Sequence, residues 1–324
     1  GFSIYGNHLA GIHLAIIGHN RFAAWGFPMF ENDDMDFYRE KSNPENADQV
    51  WANDHWEDLQ IREEVIKVKN GEDVTFKVRT SRHGPIMSDV IKEFKKGNKG
   101  ELADSVALDV EPVSLFWTFL KFPNQFLQAA WLFSHVVHID DVRNAASIIH
   151  APGLSVLYGD RDGNIAWWAA GKLIKRPPHV NSKLILDGAS GNDEPLGYYD
   201  FEQNPQSENP PSGFVYAANN QPDTIAGILY PGYYVPEDRA KRITGYLRSD
   251  KRWTVEEMKK MSTDVISDAY PLLAREIIDE IESPPLTPSP PESEKRGIGE
   301  TEKRGRQFTD SPIHPFTDSV RNSG

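Results

Sequence analysis

The sequence predicts an α+β fold dominated by antiparallel strands, and three features carry that prediction. Residues 65–78 alternate apolar with charged positions on either side of Asn70-Gly71, the pattern of a β-hairpin. Residues 156–170 repeat it around Asp162-Gly163-Asn164. Helical signals are few and lie mainly late in the chain, after the strand-rich part.

From the start, residues 9–25 are apolar with small side chains interspersed and read as paired strands. Gly18-His19-Asn20 is expected to turn between 14–17 and 22–25. An acidic stretch follows, Glu31, Asn32, Asp33, Asp34, Met35 and Asp36, with Glu40 just beyond. Residues 140–149 are expected to form a helix capped by Asp140 or Asp141. Residues 172–236 are rich in Pro, Gly and Asn, so short strands in long loops are expected there. A helix should begin near Trp253, where Thr254 and Glu257 have capping-box spacing. Another is expected over 265–281, interrupted at Pro271. After Glu282 come five prolines within eight residues, then Glu-Lys-Arg-Gly twice and Phe-Thr-Asp-Ser twice. Residues 283–324 are therefore expected to be a disordered, Pro-rich and repetitive tail.

Composition narrows the function classes. With 324 residues and 39% hydrophobic content the chain can bury a sizeable core, and its eight tryptophans make much of that core aromatic. A net charge of −13 argues against nucleic acid, which needs a basic footprint. No apolar run approaches the roughly 18 residues of a membrane span. With no cysteine there is no disulfide, thiolate metal site or cysteine nucleophile.

The candidate chemistry is modest when taken residue by residue. His135 and His138 have a ligand-like spacing but no HExxH pattern around them, so structural roles are expected. Asp160 to Asn164 has an oxygen-rich pattern, but glycine is fourth rather than sixth, so a hairpin turn is expected and not a calcium loop. The carboxylates of 31–36 must be either solvated or gathered on a cation, and both remain open. Asn219-Asn220-Gln221-Pro222 follows an apolar run and suits a turn, while an Asn amide at a strand end also suits an oxyanion donor. No GxSxG elbow is present, which leaves an α/β-hydrolase triad without support.

Taken together and in order, these pieces resemble the penicillin acylase (penicillin amidase) family. The resemblance is carried by Gly18-His19-Asn20, Ala24-Trp25-Gly26, Asp33-Asp34-Met35-Asp36 and Glu40, then by Arg82-His83-Gly84-Pro85-Ile86. It continues through Tyr158–Ile165, Ala170-Gly171, Asn209–Phe214, Ala218–Pro222, Asp238-Arg239 and Arg242-Ile243. It implies the αββα sandwich of the N-terminal-nucleophile hydrolases, incomplete at both ends, with 1–282 as part of a large-subunit domain.

The same resemblance implies a serine-type amidohydrolase that cleaves linear amides of N-acyl compounds such as penicillins. Its nucleophile is a Ser at the start of the large subunit, whose own α-amine acts as base. Asn219 matches the side-chain oxyanion donor, Met29 the backbone donor, and Arg239 an orienting arginine. Trp25, Phe27 and Phe30 are expected to line part of the acyl pocket. Asp33, Asp36 and the Met35 carbonyl match part of a structural calcium site of some members. No organic cofactor is implied. A small subunit from the same precursor is an implied partner, and a periplasmic or extracellular site an implied location. The family's nucleophilic Ser lies upstream of the position matching Gly1, so the chain alone is expected to be inactive. The alternatives are an acyl-homoserine lactone acylase, a non-catalytic gene remnant, or a β-rich binding protein.

Overall fold

The structure is a computed structural model that describes residues 3–90, 111–222, 224, 229–248, 252–267 and 269–282. The expected tail at 283–324 lies outside the described residues. Two compact units divide the chain, Gly1–Ser262 and Thr263–Gly324.

The first unit opens with β1 (Ile4–Asn7), β2 (Ile17–Asn20) and β3 (Ala23–Gly26), an antiparallel meander. There follow β4 (Met35–Arg39), β5 (Ser42–Asn43), β6 (Asn46–Ala52), β7 (His55–Asp58), β8 (Gln60–Ile66) and β9 (Val74–Thr80). Strand β10 (Val113–Trp117) leads into helices α1 (Thr118–Lys121), α2 (Phe126–Ser134) and α3 (Ile139–Ser147). Next come β11 (Leu154–Asp160), β12 (Ile165–Ala170), β13 (Ile174–Lys175), β14 (Ile185–Asp187), β15 (Gly197–Tyr198) and β16 (Gln206–Glu208). Helices α4 (Asp238–Leu247) and α5 (Val255–Ser262) close this unit, and α6 (Ala269–Glu282) belongs to the second.

The main sheet has the order β1-β2-β3-β11-β12-β16, antiparallel throughout. Its central strands bury Trp25, Val156, Tyr158 and Trp168 against Phe133, Val142 and Ala146 of α2 and α3. Each large side chain buried in this way contributes roughly 1.5–3 kcal/mol. A second sheet, β10-β4-β14, starts at the acidic segment and pairs β14 parallel to β4. The fold is therefore mixed, as expected, with one helical layer on the main sheet.

Several local expectations shift. Gly18-His19-Asn20 is not a turn but strand β2; the chain turns at Arg21-Phe22, because the Asn20 side-chain oxygen accepts the amides of Phe22 and Ala23 at 2.8 and 3.0 Å. The Asn70-Gly71 hairpin forms with a wider loop, since its last pair is Ile66 with Val74 and Asn70 takes φ 60°. The helix expected at 140–149 runs Ile139–Ser147 and is capped from within: the Asp141 carboxylate accepts the amides of Val137 and His138, each at 2.9 Å. Pro271 does not interrupt a helix. It lies in the first turn of α6, where a missing amide proton costs nothing. The capping box forms, with Thr254 and Glu257 exchanging bonds of 2.9 and 3.3 Å. The hairpin at Asp160–Asn164 is a turn, closed by the Asp160 carboxylate accepting the amides of Asp162 and Asn164.

Candidate active site

Past β3 the chain keeps its place beside β11. Met29 lies opposite Leu154 in the same register, with Phe30 N–H donating to the Gly153 carbonyl and Ser155 N–H to the Pro28 carbonyl. In this antiparallel geometry Met29 is a non-hydrogen-bonded residue, so its own N–H and C=O point away from β11. The carbonyl accepts the Asn219 Nδ2–H at 2.9 Å. The N–H on the same edge has no partner among the described residues.

Asn219 stands at φ 60°, a left-handed conformation that Asn tolerates better than most side chains. Val235 N–H donates to its carbonyl, and Arg239 Nη2 donates both to the Asn219 Oδ1 at 2.8 Å and to the Ala218 carbonyl at 2.7 Å. Because a guanidinium has no acceptor, this bond fixes Oδ1 toward Arg239 and Nδ2 toward Met29. Arg239 lies in the first turn of α4, where the helix dipole favours anions, so its position is explained by Asn219 and not by the helix. The second Nδ2 contact is Glu31 Oε1 at 3.3 Å. Met29, Asn219 and Arg239 are thus brought together from positions far apart in sequence.

Of the three aromatic candidates, Phe30 separates from the other two. Trp25 is buried in the main core, with its indole N–H on the Ile16 carbonyl at 3.2 Å. Phe27 packs beside that core, its ring 4.8 Å from that of Phe133. Phe30 enters another cluster with Ala169, Leu173 and Tyr230.

Asp33 and Asp36 are buried, and they share a cation. Arg176 Nε donates to both Asp36 oxygens at 3.2 and 3.1 Å, and its Nη2 lies 3.5 Å from Asp33 Oδ1. Burial raises the Asp36 carboxyl above the usual carboxylate range, against the pull of Arg176. Among the described residues no three His, Asp or Glu side chains converge as a metal site. Calcium takes 6–8 oxygens, so two carboxylates already paired with one guanidinium, plus the Met35 carbonyl, do not fit that ion as they stand.

Another charged cluster leaves little trace in the sequence. His83, buried between two carboxylates, has Nδ1 at 2.8 Å from Glu40 Oε1 and Nε2 at 2.7 Å from Glu194 Oε1. Ser81 and Ser114 hydroxyls each donate to the same Glu40 oxygen at 2.6 Å, and the Tyr38 ring stacks on the imidazole at 3.9 Å. Burial opposes charge on His83, but its hydrogen bonds to the Glu194 and Glu40 carboxylates outweigh it and raise its pKa. The Arg-His-Gly-Pro run and the isolated Glu40 were the only signals, and neither points to the other.

Comparison with known proteins identifies the family. A profile of the penicillin amidase family matches residues 1–305. The chain is 28% identical to penicillin G acylase of Escherichia coli over 261 residues, which covers 79% of this chain and 28% of that protein. It is 25% identical to the acyl-homoserine lactone acylase QuiP of Pseudomonas fluorescens, over 76% of this chain and 29% of that one. Penicillin acylase 2 proenzyme of Pseudomonas sp. is also 25% identical, over 82% and 34%. The chain therefore spans about a third or less of the length of these relatives. Among solved structures, the thermostable penicillin G acylase of Alcaligenes faecalis superposes with a TM-score of 0.66 at 24% identity, covering 80% of this chain and 44% of that one. The fold and the match over most of its length agree: the chain belongs to the penicillin amidase family.

Proposed function

We propose that this chain supplies the oxyanion-binding wall of a serine-type N-terminal-nucleophile amidohydrolase acting on linear amides of N-acyl compounds. One observation carries the proposal. The N–H of Met29, without a partner among the described residues, and the Nδ2 of Asn219 lie on one edge of the extended strand, and Arg239 orients the second. Two such donors stabilise the negative oxygen that develops when a nucleophile adds to an amide carbonyl. The nucleophile is placed on a Ser outside these residues, with its α-amine as base; an α-amine pKa of about 7.7–8.0 suits proton transfer near neutral pH. On this reading the chain alone has no turnover, and half-buried Phe27 is the aromatic contributor to the acyl side, since Trp25 and Phe30 are buried in core clusters. The αββα arrangement, a small-subunit partner and export from the cytoplasm belong to the same proposal. A calcium ion at Asp33 and Asp36 would require further oxygens from another polypeptide and the withdrawal of Arg176.

An acyl-homoserine lactone acylase is the second reading, favoured by the similarity to QuiP, which matches the chain about as well as Penicillin acylase 2 proenzyme does. The test is hydrolysis of a chromogenic phenylacetyl anilide and of an N-acyl-homoserine lactone by the protein expressed from its own gene with all in-frame flanking sequence. Turnover of either that falls about 10²–10³-fold in Asn219→Gly supports the proposal. Turnover of neither by soluble, processed protein would favour the non-catalytic alternative.

A further inference from the structure

We propose that Glu31 is a specificity residue that selects substrates whose amine portion carries a positive charge; the inference rests on the acylase reading above. The Asn219 Nδ2 has two hydrogens. One is engaged by the Met29 carbonyl at 2.9 Å, and the other points to Glu31 Oε1 at 3.3 Å. The carboxylate therefore stands where a substrate oxyanion would receive that same N–H.

Glu31 is held there by its backbone. It takes φ 59°, a conformation that Gly and Asn adopt readily and Glu does not. Tyr233 N–H donates to its carbonyl at 2.8 Å, and Asn32 bridges to Gly232 just beyond. A Cβ on Gly232 would fall 2.3 Å from the Glu31 carbonyl oxygen, so the two segments approach as closely as backbones can. Such over-determined strain is a feature of functional segments.

The charge on Glu31 has no ion-pair partner among the described residues. Arg176 is committed to Asp33 and Asp36, and Arg239 sits on the opposite end of the Asn219 amide. An oxyanion forming about 5 Å from an uncompensated carboxylate, at an effective dielectric of about 20, is slowed by about 10²-fold. A substrate ammonium would pair with Glu31, draw it off Nδ2 and remove that penalty. Because the acyl side is assigned to the apolar, half-buried Phe27, the cation belongs on the amine.

The experiment uses three size-matched ligands: the phenylacetyl amides of ethylenediamine, propylamine and glycine. Their dissociation constants are measured by calorimetry with the full chain and with Glu31→Gln, and their turnover is followed in parallel with the protein expressed from its own gene. Wild type is expected to bind the cationic amide at least about tenfold more tightly than the neutral one, and the anionic one worst. Glu31→Gln should compress the three to within about threefold. An unchanged ranking in Glu31→Gln, no cationic preference in wild type, or no binding of any ligand overturns the proposal. Charge-selective binding without turnover upholds it and sinks the acylase reading instead.

Discussion

Replacing His83 with alanine is expected to lower the stability of the first unit by about 3–5 kcal/mol near pH 5.5, the cost of breaking a buried ion pair by removing one partner. The burial makes that range apply: the side chains of His83 and Glu40 are 1% and 0% exposed. Without the imidazole, Glu40 keeps the Ser81 and Ser114 hydroxyls on Oε1, but its Oε2 is already without a partner. The share of Glu194 is small, because it is about a third exposed and retains Arg82 at 3.1 Å; such pairs are worth less than about 1 kcal/mol. The Tyr38 ring also loses the face it stacks on. The pH dependence has a definite sign. The folded-state pKa of His83 is raised, so its contribution is complete below the unfolded value of about 6.5 and is lost as pH rises through the folded one. Burial pushes Glu40 up, but the hydrogen bonds from His83, Ser114 and Ser81 hold it below the usual range. Its contribution is complete above the unfolded value of about 4.3 and is lost as pH falls through the folded one. The cluster therefore stabilises most between about pH 4.3 and 6.5. Guanidinium unfolding followed by tryptophan fluorescence, for wild type and His83→Ala at pH 5.5 and pH 9, measures both effects. A gap below about 1 kcal/mol, or one of equal size at the two pH values, would show that His83 is not a buried imidazolium.

Other predictions concern the two sides of the site. On the proposed reading, Asn219→Gly, which accepts the left-handed backbone that alanine would strain, should reduce kcat of the protein expressed from its own gene with its flanking sequence by about 10²–10³, with little change in unfolding midpoint. A full loss of folding instead would assign Asn219 a structural role. Arg176→Met should cost about 3–5 kcal/mol at neutral pH by leaving Asp33 and Asp36 without their cation. That cost should shrink in acid as the Asp36 carboxyl protonates, since burial already raises it; urea titrations at pH 7 and pH 4 test it. Gly84→Ala places a Cβ 2.0 Å from the Leu115 carbonyl oxygen at φ 152°, so a loss of about 1–3 kcal/mol or more is expected in thermal unfolding.

Short-range patterns were readable because their causes are short-range. The β8–β9 and β11–β12 hairpins follow from alternation and from Asn and Gly at the turns, and the Thr254–Glu257 box from spacing of three residues. Where local patterns failed, a side chain had shifted the boundary: the Asn20 oxygen moved a turn and the Asp141 carboxylate moved a cap. Family membership was legible as well, since weak motifs kept their order over most of the chain.

The direction of groups was not legible. Sequence offers Asn219 as a turn residue or a donor; only the contacts from Met29 and Arg239, 190 and 20 positions away, orient its Nδ2 beside the Met29 backbone. Asp33 and Asp36 appear in sequence as an acidic cluster awaiting a cation, and the fold supplies Arg176 from 140 positions away. Trp25, Phe27 and Phe30 look like one aromatic wall, yet on the extended strand Trp25 and Phe27 share the face toward the main core while Phe30 enters another cluster. Alternation and spacing report what a residue does to its neighbours in the chain. Which charge meets which, and which N–H is left without a partner, depends on long-range packing, and only the tertiary structure decided it.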